Sequence, residues 1–101
     1  MYVTIVCDFN SDNSRKIVDT ILMEYGFVQC QKSVYEINSI SENQVSRLKL
    51  EIDRNSDSYD HVRMYQYPLN HAMVISHLYE KRWKKKIIQD KAIMKGKQSV
   101  K

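Results

Sequence analysis

The stretch that most constrains this chain is Met1 to Phe9, MYVTIVCDF, an apolar run broken by a single carboxylate. Seven apolar or β-favouring side chains precede Asp8 and the polar segment Asn10-Ser11-Asp12-Asn13-Ser14 follows, which predicts a central strand stopping at the aspartate. Strand side chains alternate, so Val3, Ile5 and Cys7 share one face while Tyr2, Thr4, Val6 and Asp8 share the other. If helices cover the first set, Asp8 lies on the open face. An aspartate there either closes the strand and caps the next turn, or supplies oxygens to a hard cation such as Mg²⁺. One carboxylate per chain is too few for a protein cage, whereas two chains meeting across the open face would bring two together.

The remaining periodicities complete a fold around that strand. Asp12-Asn13-Ser14 offers N-cap side chains, and Ile17, Val18, Ile21, Leu22 and Tyr25 recur at helical spacing up to Gly26, predicting a helix over 13–25. Two short β-like pieces follow, 27–30 and 33–37. Ser41 with Gln44 forms a capping box inside an Ile40/Val45 staple and opens a second helix carrying Val45, Leu48 and Ile52, ending near Arg54. His61 to Tyr67 reads as a strand stopped by Pro68, with Val62 and Met64 toward the helices and Arg63, Tyr65 and Tyr67 opposite. This order, βαββαβ, predicts an α+β, ferredoxin-like sandwich with two helices on one face of a four-stranded antiparallel sheet. Thr4, Val6, Asp8, Tyr65 and Tyr67 on the bare face predict a dimer surface. Residues 72–78 predict a fifth strand, set on the edge of a partner's sheet, so that 1–79 form the ferredoxin-like domain. From Tyr79 onward the pattern is helix-like and basic, and 95–101 read as a frayed end.

Charge divides the chain at the same place. Residues 1–79 hold seven basic and ten acidic side chains, and 80–101 hold nine and two. A positive segment on a mildly acidic body points to a polyanion, with nucleic acid the first candidate. Lys81, Arg82, Lys84, Lys85 and Lys86 are its candidate phosphate contacts, or else a solvated tail. No run approaches a membrane span and the first residues carry no leader, so a cytoplasmic protein without membrane partners is expected. Cys7 and Cys30 lack metal or redox spacing and are expected as buried free thiols. His61 and His77 read as structural histidines, His71 as a loop residue, and none as a general base.

The strand ending in Asp8, Asp12-Asn13-Ser14-Arg15, Tyr25-Gly26, Gln31-Lys32-Ser33-Val34-Tyr35-Glu36 and Val62-Arg63-Met64-Tyr65 before Pro68 resemble, in order and spacing, the CRISPR-associated Cas2 family. The resemblance spans residues 1 to about 69 and implies a homodimer of prokaryotic adaptive immunity with two strand-end aspartates facing across the two-fold axis. It implies Mg²⁺ as cofactor, held by Asp8 of each chain, and endonuclease action on single-stranded RNA or double-stranded DNA. It further implies an adaptor role, bridging dimers of the Cas1 integrase on duplex DNA during spacer acquisition. Arg15 matches a basic position after the first loop and, with Lys16, is a nucleic-acid contact by this reading; in catalysis Arg15 would stabilise charge on the phosphate. The chain departs from the family in having Cys7 where members usually have Tyr. A non-catalytic adaptor and a toxin-type ribonuclease of similar fold are the alternatives.

Overall fold

In a computed structural model, which describes residues 1–69 and 71–89, the elements run β1 (Tyr2–Asp8), α1 (Asp12–Glu24), β2 (Val28–Gln31), β3 (Val34–Ile37), α2 (Glu42–Arg54), β4 (His61–Leu69), β5 (Ala72–Tyr79) and β6 (Arg82–Gln89). One six-stranded sheet has the order β2-β3-β1-β4-β5-β6, every pairing antiparallel. Its first four strands give the ferredoxin-like core expected from the sequence. The frayed end expected over 95–101 lies outside the described residues.

Alternation along β1 places Val3, Ile5 and Cys7 in the core and leaves Val6 and Asp8 exposed. Val18, Ile21 and Leu22 of α1 and Val45, Leu48 and Ile52 of α2 close over that face, to which β4 adds Val62 and Met64. Each side chain so buried contributes about 1.5–3 kcal/mol, and this layer holds the helices on one side only. The N-cap of α1 is Ser11, whose hydroxyl accepts from Ser14 N at 3.0 Å, one residue before the side chains expected to cap it. Gly26, with φ 98°, ends α1 in the left-handed region expected of it. The capping box of α2 is present, with Gln44 N donating to Ser41 Oγ and Ser41 N to Gln44 Oε1, each at 3.1 Å.

Four expectations need correction. β4 does not stop at Pro68 but runs to Leu69, because a register shift between Gln66 and Leu69 removes the need for the missing proline N–H. Cys30 is exposed, since β2 is an edge strand with all four residues open to solvent. The strand over 72–79 is present, but it pairs with β4 of its own chain over almost its whole length. Finally, Arg82–Gln89 form a strand, β6, rather than a helix. A two-residue turn makes the reversal, with φ 53° at Glu80 and 62° at Lys81, the pair of left-handed residues that a tight β-hairpin requires. Lys81 stabilises that turn by donating to the carbonyls of Asp53 and Ser56 at the end of α2, with Asp53 Oδ1 3.2 Å away.

β6 is fastened by Trp83, whose indole N–H donates to Lys49 O at 3.3 Å while the Lys49 ammonium lies 5.2 Å from the ring centroid. Lys49 also donates to Ser76 Oγ at 2.8 Å, and burial first, then Lys85, lower its ammonium to about 8. Because the folded value lies below the unfolded one, the unfolded chain binds more protons between them, and stability rises as pH climbs from about 8 toward 10. Tyr25 and Tyr35 act oppositely, since burial first and then Glu51 or Asp19 raise their phenols, but only above about 10. The Cys7 thiol, raised by burial from 9.0 to about 12, offsets part of the rise from about pH 9 upward. We therefore expect the melting temperature to increase between about pH 7.5 and 9.5, and Lys49→Met to flatten the increase. Equal slopes in thermal melts of the two proteins would contradict this.

Candidate nucleic-acid interface

Register and alternation together decide which side chains share the open face. Asp8 stands opposite His61, His61 opposite Tyr79, and Tyr79 opposite Arg82. The next row on the same face reads Val6, Arg63, His77 and Lys84, and the one after it Thr4, Tyr65, Ile75 and Lys86. Toward the far end Tyr2 faces Tyr67, which is 49% exposed, while Val6, nearer Asp8, is 39% exposed. One end of the face is thus charged and carries Asp8, and the other is aromatic and aliphatic.

The strand sorts the basic run that reads as one cluster in the sequence. Arg82, Lys84 and Lys86 fall on the open face with Asp8, whereas Trp83 and Lys85 turn to the helix side. Lys81 is occupied at the end of α2. Arg63 joins the open-face set, its guanidinium carbon 5.8 Å from the Tyr65 ring centroid. Sequence reasoning missed Arg63 as a contact, although its place on the open face followed from the β4 alternation.

Arg15 and Lys16 stand elsewhere. Arg15 pairs with Asp12, and both basic residues line a cleft of about 470 Å³ between α1 and the β2–β3 hairpin, with Cys7, Lys32 and Tyr35. Tyr35 Oη donates to Asp19 Oδ1 at 2.5 Å across this cleft. Beside it, burial above all pushes the Cys7 thiol up to about 12, so Cys7 is a protonated packing group and no nucleophile. The cleft opens on the helix side of the sheet, opposite the face that Asp8 shares.

Asp8 enters no ion pair among the described residues. No group of three His, Cys, Asp or Glu side chains among them is placed to hold a metal ion. A single hard carboxylate at a strand end suits Mg²⁺ only if a second chain and a phosphate supply further oxygens. The loop after Asp8 is fixed by Asp60, fully buried, which accepts from Asn10 N at 2.7 Å and from Asp57 N at 2.8 Å. Nothing in the polar stretch 56–60 singles out this residue by pattern; only the folded contacts do.

His61 and His77 are paired, as hydrogen-bonded structural residues would be, and of the two only His61 stands opposite Asp8. His61 Nδ1 and His77 Nε2 are 3.3 Å apart, and Tyr79 lies nearly parallel to His61 with centroids 4.0 Å apart. His71, with φ 62°, turns the β4–β5 connection at the other end of these strands.

A family model described as CRISPR associated protein Cas2 matches residues 1–73. No curated protein matches the chain. No helix among the described residues is long and apolar enough to cross a membrane.

Proposed function

The chain belongs to the CRISPR-associated Cas2 family, and from that membership we propose that it acts as a homodimer that binds duplex DNA during spacer acquisition. The observation that carries this reading is the sorting of Arg63, Arg82, Lys84 and Lys86 onto the same sheet face as Asp8. The aromatic end, with Tyr2, Tyr65 and Tyr67, packs against a second copy, together with the exposed Val6 on the same face of β1. The cationic end neutralises backbone phosphates without reading sequence. The Cas1 integrase is the proposed protein partner, bridged by the dimer.

Hydrolysis of phosphodiester bonds in single-stranded RNA or double-stranded DNA is the catalytic form of the same proposal. Asp8 from each chain would hold the ion, and bound there Mg²⁺ supplies polarisation of the scissile phosphate and a more acidic water. Asp8 orients that site from a rigid strand end, and the open-face cations hold the strand in register with it. A carboxylate without the ion repels phosphate, so the arrangement favours binding at the cations first.

The test is the salt dependence of duplex binding. With Arg82, Lys84 and Lys86 all changed to Gln, the slope of log K against log salt should fall by about 2–3, near 0.9 for each lost phosphate contact. Lys85→Gln, on the helix face, should leave the slope unchanged. A slope unaltered in the triple variant would overturn the proposed track.

A further inference from the structure

The charged end of the open face contains a notch of about 420 Å³ bounded by His77, Tyr79, Glu80, Arg82 and Lys84. Neither Arg82 nor Lys84 enters an ion pair among the described residues, so cationic donors outnumber the single Glu80 carboxylate there. His77 forms the inner wall and is tied to His61 through one imidazole–imidazole contact of 3.3 Å. The ring centroids are 5.4 Å apart with planes within 24°, so the rings meet edge to edge, one nitrogen donating and the other accepting. Such a pair holds its contact with one proton between the facing nitrogens. It cannot straddle a phosphorus as separate acid and base, and it acts from one side of an anion only.

We propose that this notch is a phosphate-binding site in which Arg82 and Lys84 hold the anion and His77 takes up a proton as the anion binds. The groups facing the pair set the sign. Arg63 on β4 and Lys84 on β6 stand opposite His77, Asp8 on β1 and Tyr79 on β5 stand opposite His61, and Arg82 and Glu80 close the end. In the free protein burial comes first, and then His61, Arg63 and Lys84 together hold His77 below the ordinary imidazole value. A bound phosphate offsets those cations and accepts from the imidazolium, so protonation and binding assist each other. Affinity therefore rises as pH falls below about 7.

The inference deepens the nucleic-acid reading and rests on it only for the source of the phosphate. Its first test is an NMR titration of the histidine ring resonances of the full chain with inorganic phosphate, against chloride at equal ionic strength. Phosphate should raise the His77 midpoint by about 0.5–1 pH unit and leave His71 in place, and the His77 rise should vanish once Arg82 and Lys84 are changed to Gln. An unmoved His77, or an equal movement in chloride, overturns the site even if duplex binding persists. Movement of His77 in a protein that binds no duplex keeps the site and removes the nucleic-acid reading.

The second test compares duplexes with 5′-phosphate and 5′-hydroxyl ends by fluorescence anisotropy at about pH 5.5 and 8. A gain of about 3–10-fold at the lower pH is expected, the affinity equivalent of the His77 shift. If only the phosphorylated duplex shows the gain, the notch takes a terminal monoester; if both show it, the notch takes a backbone diester. His77→Asn should bring the ratio of the two affinities toward one, and His71→Asn should preserve it. A gain that survives His77→Asn, or no gain with either duplex, overturns the proposal.

Discussion

Replacing Asp8 with alanine is expected to lower Mg²⁺-dependent phosphodiester cleavage by at least about 10²–10³-fold, the scale of losing one preorganised electrostatic group from a reacting phosphate. The expectation follows from position. Asp8 is the last residue of β1, exposed, without an ion-pair partner among the described residues, and on the face that also presents Arg82 and Lys84. No other carboxylate among the described residues shares its row. For the same reasons the substitution should cost little stability, within about 0.5 kcal/mol as for other surface positions. Asp8→Asn keeps the shape and removes the charge, and should lose activity as fully if the charge is what matters. Cleavage of labelled single-stranded RNA and double-stranded DNA by wild type and both variants checks this, with dimer mass measured alongside. Residual activity equal to wild type would remove Asp8 from the reaction. Wild-type protein that cuts neither substrate yet binds duplex in a salt-sensitive way would leave the adaptor role as the whole function.

Much of this was legible in the sequence because the deciding signals are local. The alternation of Val3, Ile5 and Cys7 with Val6 and Asp8 needed no partner strand to be read, and it put Asp8 on the open face correctly. The Ser41–Gln44 box announced α2 within one turn. β6 was misread because its apolar markers are ambiguous: Trp83 and Ile87 are four residues apart, a spacing that a helix face and a strand face share. The three lysines between them are good helix formers, and the turn Glu80-Lys81 lacks the Asn-Gly that usually marks a hairpin. What decides β6 is non-local, the ladder with β5 and the anchoring of Trp83 on Lys49. For the same reason the basic run reads as one cluster in the sequence, since only the period of two of a strand separates Lys85 from the open-face cations. The histidine pair was invisible for a related reason, being made by register between β4 and β5 rather than by spacing along the chain.

Asp60→Ala is expected to be among the most destabilising single substitutions outside the apolar core, about 3–5 kcal/mol. The side chain is fully buried, and each carboxylate oxygen accepts from a backbone N–H, Asn10 on one side and Asp57 on the other. A hydrogen bond to a charged group contributes about 1.5–3 kcal/mol, and alanine would also strand two backbone donors out of reach of water. For a domain near 100 residues that loss corresponds to a fall in melting temperature of roughly 12–30 °C. Asp60→Asn keeps the shape and one acceptor oxygen, so it should lose about half as much. The consequence reaches the candidate site, because Asn10 lies two residues beyond Asp8 and its backbone is what Asp60 holds. In urea melts followed by circular dichroism, Asp60→Asn should retain a cooperative transition. At temperatures where that variant is folded, duplex binding through the cations should persist, while any Asp8-dependent cleavage weakens with the loosened loop. A melting temperature for Asp60→Ala within about 2 °C of wild type in thermal melts would mean that water replaces the carboxylate at both donors, and that the loop after Asp8 is held by its own turn.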